Sequence, residues 1–365
     1  MNDEERKFFE GIFNDKINSK EDINNLLRKN YDKNFPLTNI NQLNFIRDEY
    51  DFSYNYQRFD SNLSYNNFEE KFYDLKDKNS KTIFTNCGMS SIFAVLFNLS
   101  KVGKYIIEYD NDIYFETQKL IKTMKFNFGT KITYMDTISD RFQFDCNKRN
   151  SIVIIDTTCY HPHKFKKLID KLIDNNNFVI LVRSHVKLDM FGLEYSFLGS
   201  ITFLMPRKTS IRRFKVIKKF IQSTIDFCGN TGIIAMGKNI FPLLNNKQLI
   251  DLNKERIRRI NDNNKYFYDK YKNYKELTLH KHKLFSTIII NNDVSRIIEF
   301  IKSESKKSNK LFYYSGSFGF DYIAVDTYFD MLNKKNTIRI SIGDVDIETI
   351  DIFIAYLKDV DYDKI

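Results

Sequence analysis

Residues 151–187 read SIVIIDTTCYHPHKFKKLIDKLIDNNNFVILVRSHVK, and their reading decides the fold. Ile152–Asp156 and Phe178–Arg183 are apolar runs of strand length, rich in Ile and Val, with no polar alternation. Strands apolar on both faces belong to a sheet covered on both sides. Between them, Lys164–Asn175 repeats its apolar residues at helical spacing. Strand, helix, strand is a crossover unit, right-handed when the strands are parallel. The alternation extends upstream through Thr82–Asn86, Tyr105–Tyr109 and Lys131–Met135, with helical patterns at Met89–Leu99 and Tyr114–Met124. Downstream it reaches Ile201–Met205. The expected architecture is α/β, a mostly parallel sheet sandwiched by helices.

The flanks read differently. Residues 1–55 are polar and weakly periodic, an arm of short helices and loops. Beyond residue 206 come two long helical patterns, Thr209–Phe227 and Lys247–Tyr271. A strand (Leu284–Ile290), a helix (Val294–Lys302), two strands (Leu311–Tyr314, Thr337–Ser341) and a last helix (Ile347–Leu357) follow as a smaller α+β unit. The division expected is an arm to residue 55, a large domain over 56–245 and a small one over 246–365.

Composition excludes several classes. The chain has 365 residues, 42% hydrophobic and 15% aromatic, enough for a sizeable core and too much for a disordered chain. Its four cysteines lack paired spacing, which fits a reducing compartment. No apolar run approaches the roughly 18 residues of a membrane span, and MNDEERKFFEGIF has no uninterrupted apolar stretch of the secretory kind. A cytoplasmic protein without a membrane partner is expected. A net charge of +10 invites a nucleic-acid reading. Acids and bases nevertheless alternate along most of the chain, and the densest basic run, RKTSIRRFKVIKKF from residue 207, has the spacing of a helix with a solvated face. No nucleic-acid partner is expected, and a basic nucleic-acid-binding protein stays as the non-enzyme alternative.

Candidate chemistry gathers at strand ends, where open α/β sheets bind ligands. Thr85-Asn86-Cys87-Gly88-Met89-Ser90-Ser91 lies between a strand and a strong helix. Gly88 permits close backbone approach, the new helix start favours an anion, and Ser90 and Ser91 add hydroxyls; an ordinary glycine turn with serine caps is the plain alternative. Asp156 ends one strand, Ser184 the next, and Lys187 follows three residues later. A lysine near a phosphate pocket with an acid at the neighbouring strand end meets the needs of a Schiff base with pyridoxal phosphate. A helix cap at Asp156 and a surface lysine at 187 are the alternatives. Cys159, His161 and His163 form a Cys-x-His-x-His string, but without a second cluster they are expected at the surface or the site rim, and no metal is expected. His185 is a possible proton shuttle beside Lys187, while His280 and His282 fall in a polar, solvated loop. GIIAMGKN from residue 232 approximates a nucleotide P-loop but lacks the hydroxyl after Lys238 and follows a helix, so it is rejected.

In this order, over roughly residues 54–358, these motifs resemble the pyridoxal-phosphate enzymes of fold type I, above all the cysteine/methionine metabolism family of cystathionine γ-synthase and the cystathionine and methionine lyases. Tyr56-Gln57-Arg58 resembles that family's Tyr-x-Arg, which binds the phosphate of the neighbouring subunit's cofactor. Cys87-Gly88-Met89-Ser90-Ser91 resembles its Ser-Gly-Met-Ala-Ala phosphate turn. Tyr114 falls on the tyrosine that stacks on the cofactor, Asp156 on the aspartate that pairs with the pyridine nitrogen, and Lys187, in Ser184-His185-Val186-Lys187, on the Schiff-base lysine. Ser317-Phe318-Gly319 is similar to its Ser-Leu-Gly segment, and Arg339-Ile340-Ser341-Ile342-Gly343 to the Arg-x-Ser-x-Gly whose arginine holds the substrate carboxylate. There are departures. Val186 replaces a hydroxyl, Thr157 replaces Asn, and the separation of Asp156 from Lys187 is longer than in that family.

The resemblance implies a large-domain sheet of the seven-stranded type, pyridoxal phosphate as cofactor, and a homodimer or homotetramer with shared active sites. It implies an amino-acid substrate and elimination or replacement at the β- or γ-carbon, of the cystathionine synthase or lyase kind. Lys187 would serve as base, Tyr114 and Asp156 would act on the cofactor ring, and Arg339 and Ser317 would meet the substrate. Phe318, Phe320, Asp321 and Tyr322 are candidates to line its side-chain pocket. An aminotransferase or a decarboxylase of the same fold is the alternative.

Overall fold

A computed structural model describes residues 1–34, 46–47, 50–53, 64–65, 67–75, 79–124, 126, 129–235, 239–290, 293–330 and 334–360. The chain opens with α1 (Asp3–Phe13) and α2 (Lys20–Asn34), three short strands β1 (Ile46–Arg47), β2 (Tyr50–Ser53) and β3 (Ser64–Tyr65), and α3 (Phe68–Tyr73). The central unit follows as β4 (Ser80–Thr85), α4 (Gly88–Val102), β5 (Tyr105–Glu108), α5 (Phe115–Thr123), β6 (Thr130–Asp136), β7 (Ile152–Asp156), α6 (Lys166–Asp174), β8 (Phe178–Ser184) and β9 (Gly199–Leu204). Two long helices, α7 (Ile211–Thr231) and α8 (Lys247–Tyr271), lead to β10 (Thr278–Leu279), β11 (Ser286–Ile289), α9 (Val294–Lys307), β12 (Tyr313–Tyr314), β13 (Ala324–Asp330), β14 (Lys335–Ser341) and α10 (Ile347–Lys358).

The large sheet runs β4-β9-β8-β7-β6-β5. The β5–β6, β6–β7 and β7–β8 pairs are parallel, and β9 runs against both β8 and β4. Seven strands were the expectation; among the described residues six form the sheet, and Ile234 adds one antiparallel bridge to Thr85 at the β4 edge. The unbroken apolar runs are explained by the pleat. Val153, Ile155, Val179 and Leu181 face a core shared with α6, while Ile154, Phe178, Ile180 and Val182 face one shared with α4 and α7. The second sheet, β10-β11-β14-β13-β12, packs its Ile288, Val325, Ile338 and Ile340 against α9 and α10. Helix α8 belongs to both regions. Its Leu249, Ile257 and Ile260 lie in the first core, and Phe267 and Tyr271 in that of the small sheet.

The N-terminal segment forms the helices α1 and α2, which pack on the large core. Asn2 and Glu5 form a capping box at α1, and Phe8, Phe9, Ile17, Ile23 and Leu27 are buried in the large core. No helix among the described residues is long and apolar enough to cross a membrane.

Because β4, β6, β7 and β8 run the same way, their carboxyl ends share one edge of the sheet. That edge carries the start of α4, Asp136, Asp156 and Ser184.

Candidate active site

The edge opens into a cavity of about 270 Å³ whose walls include Gly88, Met89, Tyr114, Asp136, Asp156, Lys187 and Phe318. Sequence positions 87, 88, 89, 114, 156, 184, 187 and 317 meet there, as the motif reading expected. Tyr56 and Arg58 lie outside the described residues.

Each group has a physical anchor. Cys87 caps α4, its Sγ accepting the Ser90 backbone N–H at 3.4 Å. The amides of the first turn have no intrahelical acceptor, so the helix start presents donors and partial positive charge. A Cβ at position 88 would stand 2.8 Å from Ser184 Cβ, which explains the glycine and shows how closely the turn meets the end of β8. Ser90 and Ser91 do not line the cavity. The Ser90 hydroxyl lies 3.3 Å from Cys87 Sγ, and Ser91, fully buried, lies 2.7 Å from Thr85 Oγ1, because the helical turn carries both side chains away from its start.

Asp156 is held by Thr158, whose N–H and hydroxyl both donate to Oδ1, at 2.9 and 2.6 Å. No hydrogen bond from the described residues occupies Oδ2. The Thr158 hydroxyl in turn accepts the Ser184 backbone N–H at 3.0 Å, tying the ends of β7 and β8 together. Burial pushes the Asp156 carboxyl up, against the pull of those hydrogen bonds and of Lys187. The amine of Lys187 lies 4.4 Å from the Phe318 ring centroid and 5.5 Å from that of Tyr114, with no hydrogen-bond partner among the described residues. Burial first, then the charge of Arg339, push it below the ordinary lysine value. Gly319 adopts φ +88°, and a Cβ there would fall 2.0 Å from the Lys187 carbonyl oxygen, so the 316–319 loop rests directly on the lysine backbone.

Asp136 was missed. It ends β6 beside Asp156 on β7, lines the cavity, and accepts the backbone N–H groups of Tyr114 and Ile138, both at 3.0 Å. Burial and the neighbouring Asp156 charge push its carboxyl up. The signal was an acid closing an apolar strand, as at Asp156, but the strand reading stopped at Met135.

Several expectations are corrected. His185 lies behind the cavity, its Nδ1 2.7 Å from Asp189 and its Nε2 2.8 Å from Ser200, ringed by Phe68, Phe72 and Phe84. Cys159 and His161 are buried, not on the surface: Cys159 forms part of the cavity wall, and His161 and His163 bond the carbonyls of Ile250 and Lys71. His282 is 2% exposed among Phe285 and Phe318, and His280 pairs with Asp140. Phe318 reaches the cavity but Phe320, Asp321 and Tyr322 do not line it; Phe320 stacks on Tyr322, and Asp321 pairs with Arg256 and Lys20. Arg339 does not line the cavity; its Nε and Nη2 donate to Asp326 at 2.8 and 2.7 Å, its guanidinium lies 5.9 Å from the Phe318 ring centroid, and its charge acts on Lys187.

Beneath the lysine loop, Arg183 grips Asp189 with two hydrogen bonds of 2.6 Å, both groups fully buried. Burial pushes the Asp189 carboxyl up, but the Arg183 charge, the hydrogen bonds from Arg183 and His185, and the His185 charge together outweigh it and bring the group down to about 2 from 3.8. Its stabilisation is therefore complete above about pH 3.8 and is lost as pH falls toward about 2. Asp189→Asn leaves a buried guanidinium without its counter-charge and should cost about 3–5 kcal/mol in urea unfolding near neutral pH. A loss below about 1 kcal/mol would show that the pair does not hold this loop.

The site fits pyridoxal phosphate on its own features. Among the described residues, an amine without a hydrogen-bond partner, a carboxylate with one oxygen uncommitted and a buried Ser317 Oγ without a partner share one cavity with a helix start made approachable by Gly88. The model of the Cys/Met metabolism PLP-dependent enzyme family matches residues 33–166, a segment that contains Gly88, Tyr114 and Asp156 and stops short of Lys187. No curated protein matches the chain. Among solved structures, a putative O-acetylhomoserine (thiol)-lyase from Campylobacter jejuni, which carries a pyridoxyl-lysine monophosphate, is 16% identical at a TM-score of 0.53, over 76% of this chain and 80% of that one. A methionine gamma lyase from Micromonospora echinospora is 12% identical at a TM-score of 0.53, over 86% and 92%. An aminotransferase from Anaerococcus prevotii is 13% identical at 0.51, over 91% and 85%. At such identities the likeness is one of fold, and the fold is that of the fold-type-I enzymes.

Proposed function

We propose that this chain is a pyridoxal-phosphate-dependent enzyme of fold type I, a reading supported by the family match over residues 33–166, and that it eliminates or replaces a leaving group at the β- or γ-carbon of an amino acid carrying sulfur. The observation that carries the reading is that Lys187 and Asp156 line one cavity whose wall includes the start of α4. In this reading residues 56–245 hold the cofactor, residues 246–365 close over it, and copies of the chain share their sites through Tyr56 and Arg58.

Bound pyridoxal phosphate supplies an aldehyde for the lysine and an electron-withdrawing ring. The chain supplies the rest. The first-turn amides of α4, with Ser184, would hold the phosphate; Val186 adds no hydroxyl there. Asp156, pinned by Thr158, would pair with the ring nitrogen and keep it protonated. Tyr114, whose amide is fixed by Asp136, would pack on the ring. Arg339, oriented by Asp326, takes the substrate carboxylate together with Ser317, and this sets the Cα–H bond toward Lys187. Lys187, whose pKa burial and the Arg339 charge lower, would take the Cα proton at its amine. Met89, Ile92, Cys159, Phe197 and Phe318 give the cavity the apolar walls that suit a thioether.

The test is an assay of the purified protein, loaded with cofactor, across amino acids bearing β- or γ-leaving groups. Thiol, ammonia and keto acid released together support the reading. Transfer of the amino group to a keto acid with no leaving group released would replace it with the aminotransferase alternative.

A further inference from the structure

Helix α2 carries three polar side chains in one line, Lys20, Asn24 and Arg28, four residues apart. Each donates to a carbonyl of the segment that follows Lys187. Lys20 Nζ meets Phe191 O at 2.5 Å, Asn24 Nδ2 meets Leu193 O at 2.7 Å, and Arg28 Nη2 meets Tyr195 O at 3.0 Å. Ile23 and Leu27, fully buried beside this line, fix the helix on its support.

The segment needs holding. Phe191, Gly192 and Glu194 have φ of +58°, +70° and +47°, a left-handed conformation that non-glycine residues keep only when their surroundings impose it. The Phe191 ring is enclosed by Phe9, Lys20 and Arg256, with centroid distances of 5.8, 4.9 and 5.8 Å. Lys20 also pairs with Asp321, which Arg256 binds from α8 at 2.5 Å while donating to Gly319 O at 2.8 Å. A Cβ at Gly192 would stand 2.5 Å from Arg256 Nη2 and 2.6 Å from Asp321 Oδ1. Lys20 thus touches both pieces of chain that meet at Lys187: the 188–198 segment and the 316–321 loop, whose Gly319 rests on the Lys187 carbonyl.

We propose that α2 is a strap, with Lys20 its positioning residue, that keeps these two segments in register so that the Lys187 amine and the Ser317–Phe318 wall are set for the cofactor. The cofactor part rests on the function proposed above; the strap itself does not.

The test is hydrogen exchange by mass spectrometry on the full chain without cofactor, followed by titration with pyridoxal phosphate read by its lysine-bound absorbance. Lys20→Met should speed exchange at 188–198 and 316–321 by about tenfold and weaken cofactor binding by about tenfold. Lys20→Arg should restore most of both, and Lys29→Met, an exposed change on the same helix, should do neither. Unchanged exchange in Lys20→Met overturns the strap. Faster exchange with unchanged cofactor affinity overturns the positioning role. If exchange rises throughout the chain, Asn24→Ala replaces it, with a smaller rise confined to 188–198 expected and none overturning the strap. Failure of the wild-type chain to bind pyridoxal phosphate refutes the functional reading and leaves the exchange comparison to decide the strap.

Discussion

Lys187→Ala should yield a colourless protein that folds but has no measurable activity. The side chain makes no hydrogen bond or ion pair among the described residues, so its removal takes little from the fold. What it removes is the amine that would bond the cofactor and take the substrate proton. Loss of a general base alone lowers rate by about 10²–10⁴-fold, and loss of the covalent anchor adds to this. The lowered pKa gives the wild-type protein a further signature. A lysine must be neutral to attack an aldehyde, and burial together with Arg339 makes Lys187 neutral at lower pH than its usual 10.5. The rate of cofactor uptake should therefore climb with pH and level off below 10.5. A rate that keeps climbing to that value would mean the amine is solvated and outside the site.

Asp156→Asn should separate function from stability in the opposite sense. Asparagine keeps an oxygen for the two Thr158 hydrogen bonds but cannot hold a protonated ring nitrogen by charge. Activity should fall by about 10²–10³-fold, the scale of losing one preorganised electrostatic partner. The cofactor-free chain should meanwhile unfold at the same or a higher urea concentration near neutral pH. Burial raises the pKa of Asp156 above 3.8, so its ionised form is a cost to the folded state above that value. The neutral amide relieves the cost and also relieves the neighbouring Asp136 of a like charge. A variant with activity within a few-fold of wild type would remove Asp156 from the site.

Much of the site was legible because its residues sit at the ends of elements with strong periodicity. The Ile/Val runs of β7 and β8 could only be strands buried on both faces, and once they were placed, Asp156, Ser184 and Lys187 fell at one edge. The start of α4 was legible from Gly88 standing between a strand-length apolar run and the helical pattern Met89–Leu99. Other features carry their reason in three dimensions. Phe191 and Gly192 look like any loop until Lys20, far away in sequence, is seen to bond across them. His282 reads as polar, yet the Phe285 and Phe318 rings bury it. Strand β13 went unread because AVDTYFD places Asp326 inside an otherwise β-favouring run, and its ion pair with Arg339 on β14 is a cross-strand contact that neither strand shows by itself. The α1 capping box was a local signal, Asn2 with Glu5, submerged in a polar stretch.

The most direct measurement fixes the position of the covalent bond. The protein is incubated with pyridoxal phosphate, reduced with borohydride, digested, and its peptides weighed. A stoichiometric pyridoxyl-phosphate mass on the peptide containing Lys187, and on no other lysine to comparable extent, is the predicted result. The mass on a different lysine, or spread over the surface lysines in proportion to their exposure, would contradict it.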